Sequence, residues 1–274
     1  MKDRRLSIRT HERTGNMEEK LLELTHVSKR FPVGKGKSID AVKDVSFAVK
    51  SGESLGIVGE SGCGKSTIAR MITGLTEVSS GVISLEGKVI SGLDRRRQRE
   101  VYRHIQMVFQ DPYSAISPRM SIGTFLEEGL VHFGIMDRKK AGKEAENLLK
   151  LVDLDPALAE RLPHQLSGGQ LQRVVIARAI SIHPKLVILD EATSALDVSV
   201  QKQILELLVR LQKEFSLTYL FIGHDLAVVR SITKQICVMQ EGRIVETLNS
   251  EFLTRDAAHP YTKQLLASVF SVRE

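Results

Sequence analysis

From residue 21 onward the chain alternates short apolar runs with turns and with stretches of helical spacing, the pattern of a sheet covered by helices. Three apolar runs end in residues that bear chemistry. Leu55-Gly56-Ile57-Val58 leads into Gly59, Leu186-Val187-Ile188-Leu189 into Asp190 and Glu191, and Tyr219-Leu220-Phe221-Ile222 into Gly223 and His224. Runs of this length read as central strands buried on both faces, and open α/β sheets bind ligands at the carboxyl ends of such strands. The three endings are therefore expected to meet at one site.

Around these runs the pattern changes twice. Residues 21–31, 46–50 and 81–90 alternate apolar and polar positions between glycine-bearing turns, which predicts a small antiparallel sheet beside the main one. Between about residues 112 and 163 no strand-like run occurs, and residues 139–152 have helical spacing with few breakers, which predicts an inserted helical subdomain. The expected organisation is a basic tail over 1–19, one α/β domain over 20–250 with its helical insert at about 112–165, and a short carboxyl-terminal segment over 251–274.

Composition narrows the classes. With 274 residues, 42% hydrophobic and 26% charged, the chain fits one large globular domain, and no stretch approaches the roughly 20 apolar residues that span a bilayer. The two cysteines, Cys63 and Cys237, have neither disulfide-framework nor metal-site spacing and fit a reducing cytosol. The formal charge of +6 raises the question of nucleic acid, but half of it comes from Lys2, Arg4, Arg5, Arg9 and Arg13 set against Asp3 and Glu12. That segment has no apolar core, so it is expected to be a disordered extension or an over-long gene start with Met17 as initiator; attachment to anionic lipid is the alternative. A second basic patch, Arg95, Arg96, Arg97, Arg99 and Arg103, reads as a solvated helix face.

The first strand ending carries a phosphate motif. Gly59-Glu60-Ser61-Gly62-Cys63-Gly64-Lys65-Ser66 satisfies GxxxxGK[ST], with Thr67 following, after a predicted strand and before helical residues 66–73. Glycines let consecutive amides turn inward as an anion nest at a helix N-terminus. Lys65 adds a charge for the β and γ phosphates, and the Ser66 hydroxyl suits Mg²⁺. Asp190 is placed to hold the same Mg²⁺, and Glu191 to orient and polarise an attacking water. Asp-Glu at a strand end is by itself more often a pair of solvated acids; the phosphate motif reverses that judgement.

Leu166-Ser167-Gly168-Gly169-Gln170 discriminates among the many P-loop classes, since five fixed residues arise by chance on the order of once in several thousand such chains at typical residue usage. With it, the chain resembles the ATP-binding cassette (ABC) family from residue 21 to its end. The resemblance implies a P-loop NTPase (RecA-like) core with the antiparallel β-subdomain and an α-helical signature subdomain, and an ATPase with ATP and Mg²⁺ as cofactors. Ser167, Gly168, Gly169 and Gln170 would make a second phosphate-binding helix N-terminus, capping ATP held by a facing cassette. Gln110 resembles the Q-loop glutamine that touches Mg²⁺ or water, Asp197 in Ser194-Ala195-Leu196-Asp197 the D-loop, and His224 the switch histidine at the γ-phosphate. Phe31 lies where the family places an adenine-stacking aromatic, although core packing accounts equally well for a lone phenylalanine.

Residues 110–120, Gln110-Asp111-Pro112-Tyr113-Ser114-Ala115-Ile116-Ser117-Pro118-Arg119-Met120, and His259-Pro260-Tyr261-Thr262 resemble ATPases of oligopeptide, dipeptide and nickel importers. The ending soon after the second motif, and Leu171-Gln172-Arg173 after the signature, resemble the second nickel-import ATPase. The expectation is therefore import of nickel or a nickel-metallophore complex, with peptide import as the alternative and a soluble ABC ATPase acting on nucleic acid as a remote one. The implied partners are a second, different ABC ATPase in a heterodimer, two membrane permeases and an extracytoplasmic solute-binding protein, with no nucleic acid. The implied location is peripheral, on the cytoplasmic face of the inner membrane.

Overall fold

The computed structural model describes residues 20–34 and 36–270. The basic segment 1–19, with Met17, and the last residues of the expected 251–274 segment lie outside the described residues.

In chain order the elements are β1 (Lys20–Pro32), β2 (Ser38–Lys50), β3 (Ser54–Val58), α1 (Lys65–Ile72), β4 (Ser80–Leu85), β5 (Lys88–Val89), α2 (Arg95–His104) and β6 (Ile105–Val108). Three helices follow without a strand, α3 (Ile122–His132), α4 (Arg138–Leu151) and α5 (Gly168–Ile180). The chain then runs through β7 (Leu186–Asp190), α6 (Val198–Phe215), β8 (Thr218–Gly223), α7 (Leu226–Ile232), β9 (Gln235–Gln240), β10 (Arg243–Asn249), α8 (Leu253–Asp256) and α9 (Pro260–Phe270). Among the described residues no helix is long and apolar enough to cross a membrane.

The first sheet has the order β2-β1-β4-β5 and is antiparallel, as the alternating segments predict. One member differs from expectation: β2 begins at Ser38, eight residues before the expected 46. The added stretch mixes polar and apolar residues and is irregular, with Asp44 at φ 56 facing His26 at φ 50, and the β1–β2 register shifts at Leu24/Val27 and Val27/Lys29. Such bulges break the strict two-residue period on which a strand is recognised.

The second sheet, β10-β9-β3-β8-β7-β6, is parallel except for its edge strand β10. The three apolar runs occupy its centre, and β3, β7 and β8 are buried along their whole length. Their side chains alternate between two cores. Ile188, Leu220 and Ile222 join α1 and the antiparallel sheet, whereas Val187, Leu189, Tyr219 and Phe221 join the helices of the other face. Strands β9 and β10 lie outside the predicted runs. Ile236-Cys237-Val238-Met239 is a buried apolar run like those of its neighbours but ends in Gln240 and not in a residue of the phosphate chemistry, whereas β10 is only half-buried and shows no such run.

Helix α2 carries the arginine patch. Arg95, Arg96, Arg97, Arg99 and Arg103 are exposed, while Gln98 and Val101 turn inward and Asp94 caps the first turn by accepting from the Arg97 amide.

Candidate active site

Register brings the strand endings together. Val58 of β3 pairs with Gly223 of β8, Asp190 of β7 pairs with Ile222, and Val108 of β6 pairs with Leu189, so all four parallel strands stop at one edge. The residues that follow, Gly59, Glu191, His224 and Gln110, emerge side by side. This is the general place for ligands of an open α/β sheet.

The loop 59–64 is held closely by residues distant in sequence. A Cβ on Gly59 would lie 2.1 Å from the Met239 carbonyl oxygen, and one on Gly64 would lie 2.2 Å from that of Ala41. Gly64 is also at φ 109, where only glycine is comfortable, and it caps α1. The Gly242 amide donates to the Cys63 carbonyl at 3.0 Å, and the Glu60 amide donates to the Tyr261 hydroxyl at 2.9 Å. Among the described residues the amides of Ser61, Gly62 and Gly64 have no protein acceptor, which leaves a cradle of donors at the N-terminus of α1.

Lys65 is buried, and its Nζ donates to the carbonyls of Gly59 and Glu60 at 2.7 and 2.8 Å, with Cys63 Sγ 3.8 Å away. Burial pushes the Cys63 thiol up, against the lowering effect of the Lys65 charge. The Ser66 hydroxyl donates to Asp190 Oδ1 at 3.0 Å, which joins loop and strand β7. Burial raises the Asp190 carboxyl above its ordinary range, with Ser66 opposing and Glu191 reinforcing. Thr67 continues the helix, half-buried. A hydroxyl and a carboxylate so paired, beside free amides and a lysine, match the donor set for a polyphosphate and a hard cation.

Glu191 adopts φ 50, unusual for a residue with a side chain, and its amide donates to Ile222 O at 2.9 Å. Strained backbone of this kind clusters at functional sites. Its Oε2 lies 3.7 Å from His224 Nδ1, with the glutamate side chain largely buried and the histidine half exposed. Gln110 Nε2 donates to Ser194 Oγ at 3.3 Å, and Ser194 Oγ donates to the Glu191 carbonyl at 3.0 Å. Gln110, Ser194, Glu191 and His224 thus form one polar run along the sheet edge.

The signature lies apart from that edge. Ser167 caps α5 by accepting from the Gln170 amide, while Gln170 Oε1 accepts from the Ser167 amide at 2.9 Å, a reciprocal capping box. Gly168 and Gly169 face Leu196 and Val200, and Tyr113 OH donates to the Leu166 carbonyl at 3.3 Å. Asp197 caps α6, accepting from the Val200 amide and the Ser199 hydroxyl, and these bonds hold its carboxyl below the usual range. Among the described contacts none joins residues 167–170 to the loop 59–66.

Phe31 is not a core residue: it is 38% exposed, stands at the end of β1 opposite Ile39, and carries Lys29 Nζ 4.9 Å above its ring. Its neighbour strand touches the phosphate loop two residues further on, at Ala41. Sequence reasoning missed Ala41, Met239, Gly242 and Tyr261, all of which shape the loop. The only available signal was the motif at 259–262, read as a subfamily mark and not as part of the site.

Comparison with known proteins agrees with this geometry. The family described as ABC transporter matches residues 42–194. The oligopeptide transport ATP-binding protein AppF of Bacillus subtilis is 44% identical over 263 residues, covering 93% of this chain and 80% of the relative. A probable peptide ABC transporter ATP-binding protein, y4tS of Sinorhizobium fredii, is 45% identical over 258 residues, covering 92% of this chain and 73% of the relative. Among solved structures, a dimeric post-hydrolysis state of the ATP-binding cassette MJ0796 bound to ADP and Pi superposes with a TM-score of 0.76 at 31% identity, covering 84% of this chain and 98% of that one.

Two expectations are corrected by these relatives. The nickel assignment fails, because the similar proteins are named for peptide and oligopeptide transport. The expected partner set is corrected in its solute-binding protein. The set follows from the resemblance to oligopeptide, dipeptide and nickel importers in general; a second ATPase and permeases are consistent with these relatives, but the relatives are ATP-binding proteins that show no solute-binding protein. The nickel resemblance rested on three residues after the signature and on where the chain ends, too little to outweigh similarity along nine-tenths of its length. What the phosphate cradle, the matched family and the chain-long similarity establish together is that this chain belongs to the ABC transporter family, as an ATP-binding cassette and an ATPase.

Proposed function

We propose that this cassette hydrolyses ATP to drive import of dipeptides or oligopeptides, working peripherally at the cytoplasmic face of the cell membrane. The observation that carries the substrate class is the 44–45% identity to peptide-transport ATP-binding proteins over 92–93% of the chain.

The chemistry follows from the residues. The amides of Ser61, Gly62 and Gly64 bind phosphate oxygens, and Lys65 turns from its loop carbonyls to the β and γ phosphates. Ser66 and Asp190 would hold Mg²⁺, which would supply neutralisation of phosphate charge. Glu191 accepts a proton from the attacking water, held in reach of the γ-phosphate by the short φ 50 turn after β7. His224 donates to the γ-phosphate and buttresses Glu191, and Gln110 orients water at the same edge. Phe31, exposed at the rim, stacks on adenine.

Residues 167–170 complete the phosphate shell of a facing cassette, a reading supported by the dimeric state of MJ0796 and by the separation of the signature from this chain's own loop. Asp197 supports that interface by fixing the start of α6. Residues 20–250 form the ATP-binding domain, with α3 and α4 as the helical insert.

The test is a strain lacking the gene, complemented with wild type or Lys65→Ala. Peptide-dependent growth restored by wild type alone supports the proposal. Normal peptide use with loss of cell-associated nickel overturns the substrate class while leaving the ATPase intact.

A further inference from the structure

The mechanism above makes no use of His259-Pro260-Tyr261-Thr262, although these residues reach its centre. Tyr261, in the first turn of α9, is 5% exposed, and its hydroxyl accepts the Glu60 amide across 201 positions of sequence. The turn is itself anchored. Glu246 of β10 accepts from the amides of Ala258 at 2.8 Å and His259 at 3.2 Å, and the Tyr261 amide donates to His259 Nδ1 at 3.2 Å. The β9–β10 hairpin that carries Glu246 also presses the Met239 carbonyl against Gly59 and donates from Gly242 to Cys63. One side of the phosphate loop is therefore built from the last third of the chain.

Glu60 begins the turn whose next amides, Ser61, Gly62 and Gly64, form the cradle. If its peptide rotates, the following amides rotate with it. A buried phenol keeps its hydroxyl where a partner is found, and here that partner is a single amide of the loop. Burial holds the phenol's titration above its ordinary range, so the group is a neutral acceptor at physiological pH.

We propose that Tyr261 is a positioning residue for the phosphate loop: by pinning the Glu60 amide it fixes the orientation of the anion cradle, sets nucleotide affinity, and links the carboxyl-terminal helix to nucleotide binding. The proposal rests on the nucleotide reading of residues 59–66. By linkage the effect runs both ways, so nucleotide that tightens the loop also steadies the start of α9.

The experiment compares the full chain with Tyr261→Phe, which removes one oxygen and keeps the ring. ADP and ATP dissociation constants and steady-state hydrolysis are measured, with amide hydrogen exchange followed with and without ADP. A net hydrogen bond predicts an affinity loss of about three- to tenfold in Tyr261→Phe, seen in KM with kcat little changed. ADP should slow exchange over residues 258–264 in wild type, and do so less in the variant. Equal ADP affinity of the two proteins overturns the proposal. If Tyr261→Phe fails to fold, the wild-type exchange decides alone: no ADP effect at 258–264 overturns it. Wild type that binds no ADP removes the nucleotide reading itself, a result distinct from both.

Discussion

Substituting alanine at Gly64 probes the loop more sharply than removing a charged group, because the structure fixes what the added methyl meets. The new Cβ would lie 2.2 Å from the Ala41 carbonyl oxygen and 2.8 Å from Met239 Cε. Met239 can move, but the Ala41 carbonyl belongs to β2 and cannot move alone, so the loop must shift by about 1 Å or the strand must yield. Overpacking of this kind costs about 1–3 kcal/mol, and forcing a side chain to φ 109 costs about 1–3 kcal/mol more. Gly62 supplies the control: it too has positive φ, 81, but nothing lies within 4 Å of its would-be Cβ. Gly62→Ala should therefore show only the backbone cost, about 1–2 kcal/mol.

In a thermal melt, at about 2–4 °C per kcal/mol for a domain of this size, Gly64→Ala should lose on the order of 10 °C and Gly62→Ala a few degrees. If the loop relieves the clash by moving, the melt recovers but ADP binding falls by about tenfold for each 1.4 kcal/mol of lost contact. Calorimetric titration with ADP reads that alternative. A Gly64→Ala protein that melts with Gly62→Ala and binds ADP like wild type would refute the packing argument.

Three further outcomes follow from named contacts. Ser66→Ala removes the hydroxyl that donates to Asp190; ADP affinity measured with Mg²⁺ should fall at least tenfold while Mg²⁺-free affinity changes little, and equal losses would remove Ser66 as a ligand. Phe221→Ala empties a fully buried position in β8 beside the site and should cost about 3–5 kcal/mol by chemical denaturation; a loss below about 1 kcal/mol contradicts the described core. Cys237 is buried and its thiol is pushed up to about 11, so the native state holds a proton that the unfolded chain releases near its ordinary value. Stability from this group is complete below the unfolded value and is lost as pH rises from about 9 to 11, at about 1.4 kcal/mol per pH unit; Cys237→Ala should lack that slope relative to wild type, and an identical slope would contradict it.

The parts of the site that were legible in sequence are those encoded locally. The phosphate loop, Asp190-Glu191 and the signature are contiguous strings, and the strand runs that precede the first two announce their place at a sheet edge. His224 follows from the same rule, whereas Gln110 is reached only through its resemblance to the Q-loop glutamine. The rest depends on residues that meet only after folding. Ala41, Met239 and Gly242 contact the loop through backbone atoms, so their side chains carry no trace of the role. Tyr261 does use its side chain, but a tyrosine 201 positions from its partner cannot be told in sequence from one that packs. Strand β2 extends beyond its predicted start because bulges at His26 and Asp44 break the two-residue period, and a lone phenylalanine such as Phe31 suits core and rim equally in sequence, while its exposure puts it at the rim.

In the proposed mechanism Glu191 is the base with which the polar run at the sheet edge hydrolyses ATP. Phosphate release from ATP by the full chain should therefore be measured for wild type and Glu191→Gln, together with retention of unhydrolysed ATP after gel filtration. Wild type should release phosphate steadily, and the variant should lose at least about a hundredfold with ATP retained, since general-base catalysis contributes about 10²–10⁴. Release by Glu191→Gln at the wild-type rate would contradict that mechanism.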